Sequence, residues 1–107
     1  MTVYNKLVRD KIPELIQAQG EHPHIRVLND EEYREHLHSK LEEEVQEFLR
    51  DRNLEELADI LEVVYALADE FGGREDLIRV YETKHEARGG FRDRIFLISK
   101  DDDERGK

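Results

Sequence analysis

The chain has 107 residues, 37% of them hydrophobic and 41% charged, so its length fits one domain with a modest core. The formal net charge of −10 argues against a nucleic-acid polymer as partner, because such binding depends on Lys and Arg neutralising phosphates. The absence of cysteine excludes disulfides, thiolate nucleophiles and cysteine-based zinc sites.

The N-terminal sequence lacks the marks of a targeting segment. Residues 1–14 are charged and contain no apolar signal-peptide core. No apolar run approaches the roughly 20 residues that span a bilayer. We therefore expect a cytoplasmic protein without membrane contact. With no Pro/Ser-rich linker, we expect one domain over residues 1–100 and a charged, disordered tail at 101–107.

The first third of the chain predicts an extended arm, a short helix and a short strand. Asp10 is suited to cap the helix, because its carboxylate can accept a backbone N–H, and Pro13 lies early, where a missing N–H matters least. Gly20 ends this helix. Residues 25–28 alternate weakly between apolar and polar, which favours a short extended segment.

Three longer helices follow. The second begins at Asn29 or Asp30 and runs to about Arg52, with one apolar stripe made of Tyr33, Leu37, Leu41, Val45 and Phe48. The third begins after Asn53, reaches about Phe71 and is apolar around most of its circumference, which is typical of a buried helix. The fourth covers about 75–87, and residues 94–98 form a second short extended segment. The fold class is therefore all-α, with about four helices, and the modest core favours an oligomer.

Four acidic residues stand out on the second and third helices. Glu44 and Glu47 lie one helical turn apart beside the apolar stripe, and Glu56 and Asp59 repeat that spacing on the third helix. Helices joined by a short break pack antiparallel, so the two pairs should approach one another. Lys40 lies beside the first pair.

Carboxylates gathered near a core repel one another and resist desolvation. A hard divalent cation removes both costs, because Mg²⁺ takes oxygen ligands and keeps several waters. The alternative is that these residues are solvated faces of ordinary acidic helices. A di-iron centre is disfavoured, because no His stands three residues after a candidate Glu.

The acidic pattern resembles the signature of the all-α nucleoside triphosphate pyrophosphatases, a superfamily that includes MazG-like proteins, dimeric dUTPases and phosphoribosyl-ATP pyrophosphohydrolases. The residues that carry the resemblance are Glu43, Glu44, Glu47, Glu56 and Asp59. Residues 4–13 (YNKLVRDKIP) and 84–91 (KHEARGGF) resemble a small MazG-like, phosphoribosyl-ATP-pyrophosphohydrolase-like branch. The three segments stand in the same order as in that branch.

The resemblance implies that water attacks a phosphoryl group and releases pyrophosphate from a nucleotide. It implies Mg²⁺, with Mn²⁺ as the substitute, on Glu44, Glu47, Glu56 and Asp59. Glu43 would position or deprotonate the attacking water. It also implies a homodimer or homotetramer, in which a helical hairpin from each of two chains completes a four-helix bundle.

Five basic residues are expected to bind the substrate: Lys6, Arg9, Lys40, Lys84 and Arg88. Lys84 and Arg88 lie at i, i+4 and share one helix face. The alternative for each is a solvated basic face paired with acidic neighbours. Because the chain is so acidic, a nucleotide would arrive as its metal complex.

Three functions stay open at this point. The leading hypothesis is a Mg²⁺-dependent pyrophosphohydrolase that removes non-standard nucleoside triphosphates. The second is the phosphoribosyl-ATP step of histidine biosynthesis, with the same chemistry. The third, from a different class, is a non-catalytic acidic helical dimerisation module.

Overall fold

The computed structural model describes residues 1–102, and across them the chain is all-helical, as predicted. Its elements are α1 (Ile12–Ala18), α2 (Asp30–Asp51), α3 (Leu54–Ala68), a 3-10 turn (Asp69–Phe71) and α4 (Arg74–Arg88). Residues 103–107, which hold most of the predicted disordered tail, lie outside the described part. The bounds of α2 and α4 agree with prediction to within about two residues.

The two central helices begin at capping residues that the sequence identifies. The side chain of Asn29 accepts a hydrogen bond from the Glu32 amide at 2.9 Å, and the Glu32 carboxylate accepts one from the Asn29 amide. This reciprocal pair is a capping box. The prediction that Asp10 caps α1 is wrong. The N-cap is Lys11, and a backbone turn from the Ile12 amide to the Arg9 carbonyl precedes the helix.

Both predicted extended segments are absent as strands. Residues 25–28 and 94–98 have no strand pairing within residues 1–102. A strand needs a neighbouring backbone for its N–H and C=O groups, and neither segment finds one. Val27 is 91% exposed and Ile98 is 88% exposed, so most apolar side chains of these segments are in solvent, and Leu28 is the one that is partly buried.

The core of the structure is the α2–α3 hairpin. Only Arg52 and Asn53 separate the helices, and Arg52 adopts a left-handed conformation (φ 50°) that turns the chain back. Among the described residues, the buried hydrophobic side chains are Leu37 of α2 with Val63 and Ala68 of α3.

The expected burial of α3 on nearly all sides is not reached within one chain. Leu54 is 77% exposed, Leu57 is 45% exposed and Leu61 is 48% exposed. One face of α3 packs on α2, and α4 approaches only its C-terminal end and the 3-10 turn. The remaining apolar face of α3 is not covered by any element within residues 1–102.

A single chain is far from compact. Its radius of gyration is 19.8 Å, whereas a compact domain of this length has about 13 Å. Its accessible surface is 10340 Å², against about 6,200 Å² for a folded monomer of this mass. No helix within residues 1–102 combines the length and apolar character that crossing a membrane requires.

Candidate metal centre

The tight α2–α3 connection brings the two acidic pairs together. The Asn53 side chain accepts a hydrogen bond from the Glu56 amide at 2.9 Å, which fixes the first turn of α3 and places Glu56 three residues after the cap. Asp59 follows one turn later on the same face. Glu44, one turn before the end of α2's apolar stripe, lies opposite them.

Three carboxylates meet at this point. One oxygen from each of Glu44, Glu56 and Asp59 lies within 4.8 Å of the others, and we call these residues the carboxylate cluster. Glu44 is only 7% exposed, although it is charged at neutral pH when unperturbed. The Oε2 atoms of Glu44 and Glu56 are buried and, within residues 1–102, have no hydrogen-bond partner.

The electrostatics of the cluster are unfavourable without a cation. Burial raises the pKa of Glu44 most, the neighbouring Glu47 carboxylate raises it further, and Asp59 adds a smaller effect that Lys40 opposes. The pKa of Glu56 is also raised, by desolvation first and then by Glu47 and Asp59. Clustered carboxylates with buried, unsatisfied oxygens suit a hard divalent cation, which supplies positive charge and accepts oxygen ligands. The residues present therefore fit Mg²⁺ or Mn²⁺.

Glu47 lies beside the cluster rather than within it. It is close enough to raise the pKa of both Glu44 and Glu56, but its oxygens are not part of the group that meets within 4.8 Å. Three of the four predicted metal ligands therefore share one site, and the fourth borders it.

Glu43 faces two ammonium groups instead of the cluster. Its carboxylate accepts hydrogen bonds from Lys40 at 3.1 Å and from Lys6 at 3.3 Å. Burial alone would raise the pKa of Glu43, but these two bonds bring it below its ordinary value. A lower pKa makes the carboxylate a weaker base, so its chemistry favours holding a water molecule over removing its proton. Lys40 also lies 3.5 Å from Glu44.

The N-terminal segment reaches the edge of the cluster through a guanidinium group. Arg9 Nη1 lies 3.3 Å from Asp59 Oδ1, and Arg9 Nη2 lies 3.3 Å from Glu62 Oε1. Glu62 is not among the site residues predicted from the sequence, so the prediction did not include this contact. The signal was present, because Glu62 stands three residues after Asp59 and shares its face.

The other two predicted substrate-binding residues lie elsewhere. Lys84 and Arg88 are exposed on α4, which does not approach α2 within the described chain. Arg88 instead lines a cavity of about 530 Å³ with the loop at 89–95. Within residues 1–102 of one chain, therefore, Arg9 and Lys40 contact the carboxylate cluster and Lys6 contacts the neighbouring Glu43, whereas Lys84 and Arg88 lie away from α2.

Comparison with known proteins adds little to this geometry. No protein-family model and no solved structure matches the chain. An uncharacterized protein of Mycolicibacterium smegmatis (strain ATCC 700084 / mc(2)155) is 60% identical over 42 residues, which is 39% of this chain and 43% of that protein. The chain thus spans less than half the length of the curated relative that it matches, and that relative's description carries no activity.

Proposed function

We propose that the chain is a divalent-metal-dependent nucleotide pyrophosphohydrolase that acts on nucleoside triphosphates, non-standard ones in particular. The observation that carries the metal site is the carboxylate cluster with its two buried oxygens that have no partner. The choice of reaction rests on the resemblance of the acidic pattern, and of segments 4–13 and 84–91, to the all-α pyrophosphatases.

The roles follow from the charges around the site. Glu44, Glu56 and Asp59 would hold Mg²⁺, with Glu47 beside them as a further oxygen donor. When bound, the cation would neutralise phosphate charge, which is most of what phosphoryl transfer requires. Glu43, kept ionised by Lys6 and Lys40, would orient the attacking water.

The basic residues have roles of their own in this proposal. Lys40 and Arg9 lie at the rim of the cluster and would bind phosphate oxygens, and Lys6 would do so after leaving Glu43. Arg is suited to this, because its planar donors match two oxygens at once. Lys84 and Arg88 would take part only if another copy brings them to the site.

A second copy is part of the proposal. The exposed apolar face of α3, including Leu54, Leu57 and Leu61, would be covered by the same face of another chain. Two hairpins would then complete a four-helix bundle, since packed helices need apolar cover on that face. Light scattering at several protein concentrations tests this, and a purely monomeric chain would refute it.

The activity test measures pyrophosphate release from a panel of nucleotides. The panel holds the standard triphosphates, several with modified bases, and phosphoribosyl-ATP, each with Mg²⁺, with Mn²⁺ and with EDTA. We expect release from at least one triphosphate that EDTA abolishes. Release from phosphoribosyl-ATP alone would move the assignment to histidine biosynthesis, and no release from any substrate would refute the enzyme.

Matched variants connect the activity with the cluster. Asp59→Asn and Glu56→Gln remove one charge each without a change of shape, and both should reduce the rate at least a hundredfold. Glu42→Gln is the control, because Glu42 is exposed on the same helix as Glu44. Equal activity of all variants and the parent would show that catalysis lies elsewhere. A chain that is inactive but still oligomeric would favour the dimerisation module.

A further inference from the structure

The N-terminal arm, residues 1–11, is attached to the carboxylate cluster by charge. Arg9 spans Asp59 and Glu62 at 3.3 Å each, and Lys6 lies 3.3 Å from Glu43. The acceptors stand on two different helices, Glu43 on α2 and the other two on α3, so the arm contacts both helices of the hairpin. Its cations lie against the negative charge that a metal ion would otherwise neutralise.

The ion pairs that attach the arm to the hairpin are weak. The side chain of Arg9 is 60% exposed and that of Lys6 is 46% exposed, so solvent screens both ion pairs. The helix that follows the arm, α1, is seven residues long, and its backbone does not approach another helix within residues 1–102. No side chain of α1 is fully buried, and Leu7 of the arm is only half-buried, so the ion pairs are a substantial part of what holds the arm in place.

Asp59 takes part both in the carboxylate cluster and in the ion pair with the arm. It belongs to the carboxylate cluster, and it is also an acceptor for Arg9. A divalent cation bound by Glu44, Glu56 and Asp59 would cancel most of the negative charge that attracts the guanidinium. The orphaned Oε2 atom of Glu44, whose side chain is only 9% exposed, shows that Arg9 leaves the interior of the cluster unsatisfied. Within residues 1–102, no cation of the arm forms a hydrogen bond with that atom.

We propose that the N-terminal arm is a displaceable counter-ion: divalent metal releases Arg9 from Asp59, and the freed guanidinium then binds the anionic phosphates of the metal-bound substrate. This rests on the proposed metal site. In the metal-free chain the arm reduces repulsion among the carboxylates. In the loaded chain the same positive charge moves to a polyphosphate ligand, for which Arg has matching donors.

The test follows the arm directly and does not depend on activity. Because the chain has no cysteine, Val3→Cys provides one nitroxide-labelling position on the arm, at a side chain that is 69% exposed. The mobility of the label is measured by electron paramagnetic resonance as MgCl2 is added, against NaCl at matched ionic strength. Calorimetry on the same samples measures Mg²⁺ binding. A last addition of inorganic pyrophosphate with Mg²⁺ stands in for the substrate's phosphates.

Arg9→Gln is the informative variant, and Arg26→Gln is its matched control. Arg26 also forms an exposed ion pair, with Glu32 at 2.9 Å, away from the cluster. We expect Mg²⁺ to increase label mobility in the parent and in the control, and pyrophosphate to reduce it again. In Arg9→Gln the label should be more mobile than in the parent before any addition, because only the Lys6–Glu43 pair remains, and neither addition should change its mobility further. Its Mg²⁺ affinity should be up to about fivefold higher, which is the upper size of one exposed ion pair.

The possible outcomes distinguish a failure of the displacement proposal from a failure of the proposed metal site on which it rests. If Mg²⁺ binds, and Asp59→Asn abolishes binding, but the label does not respond, the displacement is refuted while the metal site stands. Equal or weaker Mg²⁺ binding by Arg9→Gln refutes it in the same way. If the parent does not bind Mg²⁺ in calorimetry, the metal site is refuted and the displacement with it.

Discussion

Glu44 is the residue at which stability and function should conflict most clearly. Its side chain is nearly buried, one oxygen has no partner, and burial together with Glu47 raises its pKa. A buried polar group without a partner costs about 1–3 kcal/mol. Glu44→Gln removes the charge, keeps the shape and leaves an oxygen that can still accept from Lys40. We expect the metal-free variant to be more stable than the parent by about 1 kcal/mol, the lower end of that range.

The same substitution should abolish stabilisation by metal. A ligand at a hundred times its Kd raises the free energy of unfolding by about 2.7 kcal/mol, and the parent should gain this amount from Mg²⁺. Urea denaturation at one chain concentration, with EDTA and with Mg²⁺, measures both effects. Glu42→Gln makes the same chemical change at an exposed position of α2 and should behave like the parent. If metal-free Glu44→Gln is less stable than the parent, Glu44 is a structural carboxylate and our reasoning about the cluster fails.

Three further predictions concern the carboxylate cluster, the cap of α3 and the turn at Gly72. Folding raises the pKa of Glu44 and Glu56. Between the ordinary carboxyl pKa and the raised values, the folded chain therefore holds more protons than the unfolded chain. Without metal, the free energy of unfolding of the parent, compared with that of Glu44→Gln, should increase as the pH falls from 7 into that window. Asn53→Ala removes the cap of α3 and should reduce the free energy of unfolding by about 1 kcal/mol in urea denaturation. Gly72→Ala should destabilise by more than about 1 kcal/mol in the same assay, because Gly72 has φ +107° and an added Cβ would collide with the Asp76 carboxylate.

Each of these predictions has a control in the same chain. Asn53→Ser keeps an oxygen that can accept the Glu56 amide and should retain most of the stability. Gly73 has φ 94° with an extended ψ of −179°, a conformation that essentially only glycine adopts, so Gly73→Ala should also destabilise the chain although an added Cβ there meets no atom. Unchanged stability of both alanine variants would contradict the backbone strain assigned to these glycines. A parent and Glu44→Gln with identical pH profiles would contradict the raised pKa of Glu44.

Much of the local structure could be predicted from the residues. The capping residue Asn53, the stripe on α2 and the glycines after α3 are short-range signals, because each acts within one or two helical turns. The acidic pairs could be predicted for the same reason, since a spacing of three residues places side chains on one face of any helix. The predicted strands at 25–28 and 94–98 failed because a strand depends on a partner that a local pattern does not contain.

Only the tertiary structure decided which of the predicted acidic and basic residues lie together at the site. Sequence spacing treats Glu44 and Glu47 alike, but the packing of α2 on α3 buries Glu44 beside the half-buried Glu56 and Asp59 and leaves Glu47 at their border. Distances across the hairpin depend on the turn at Arg52, which helical periodicity does not specify. Likewise, nothing in the spacing of the chain links Arg9 to Asp59, 50 residues away. The sequence by itself determined which groups could form a metal site, and the folded chain determined which of them meet.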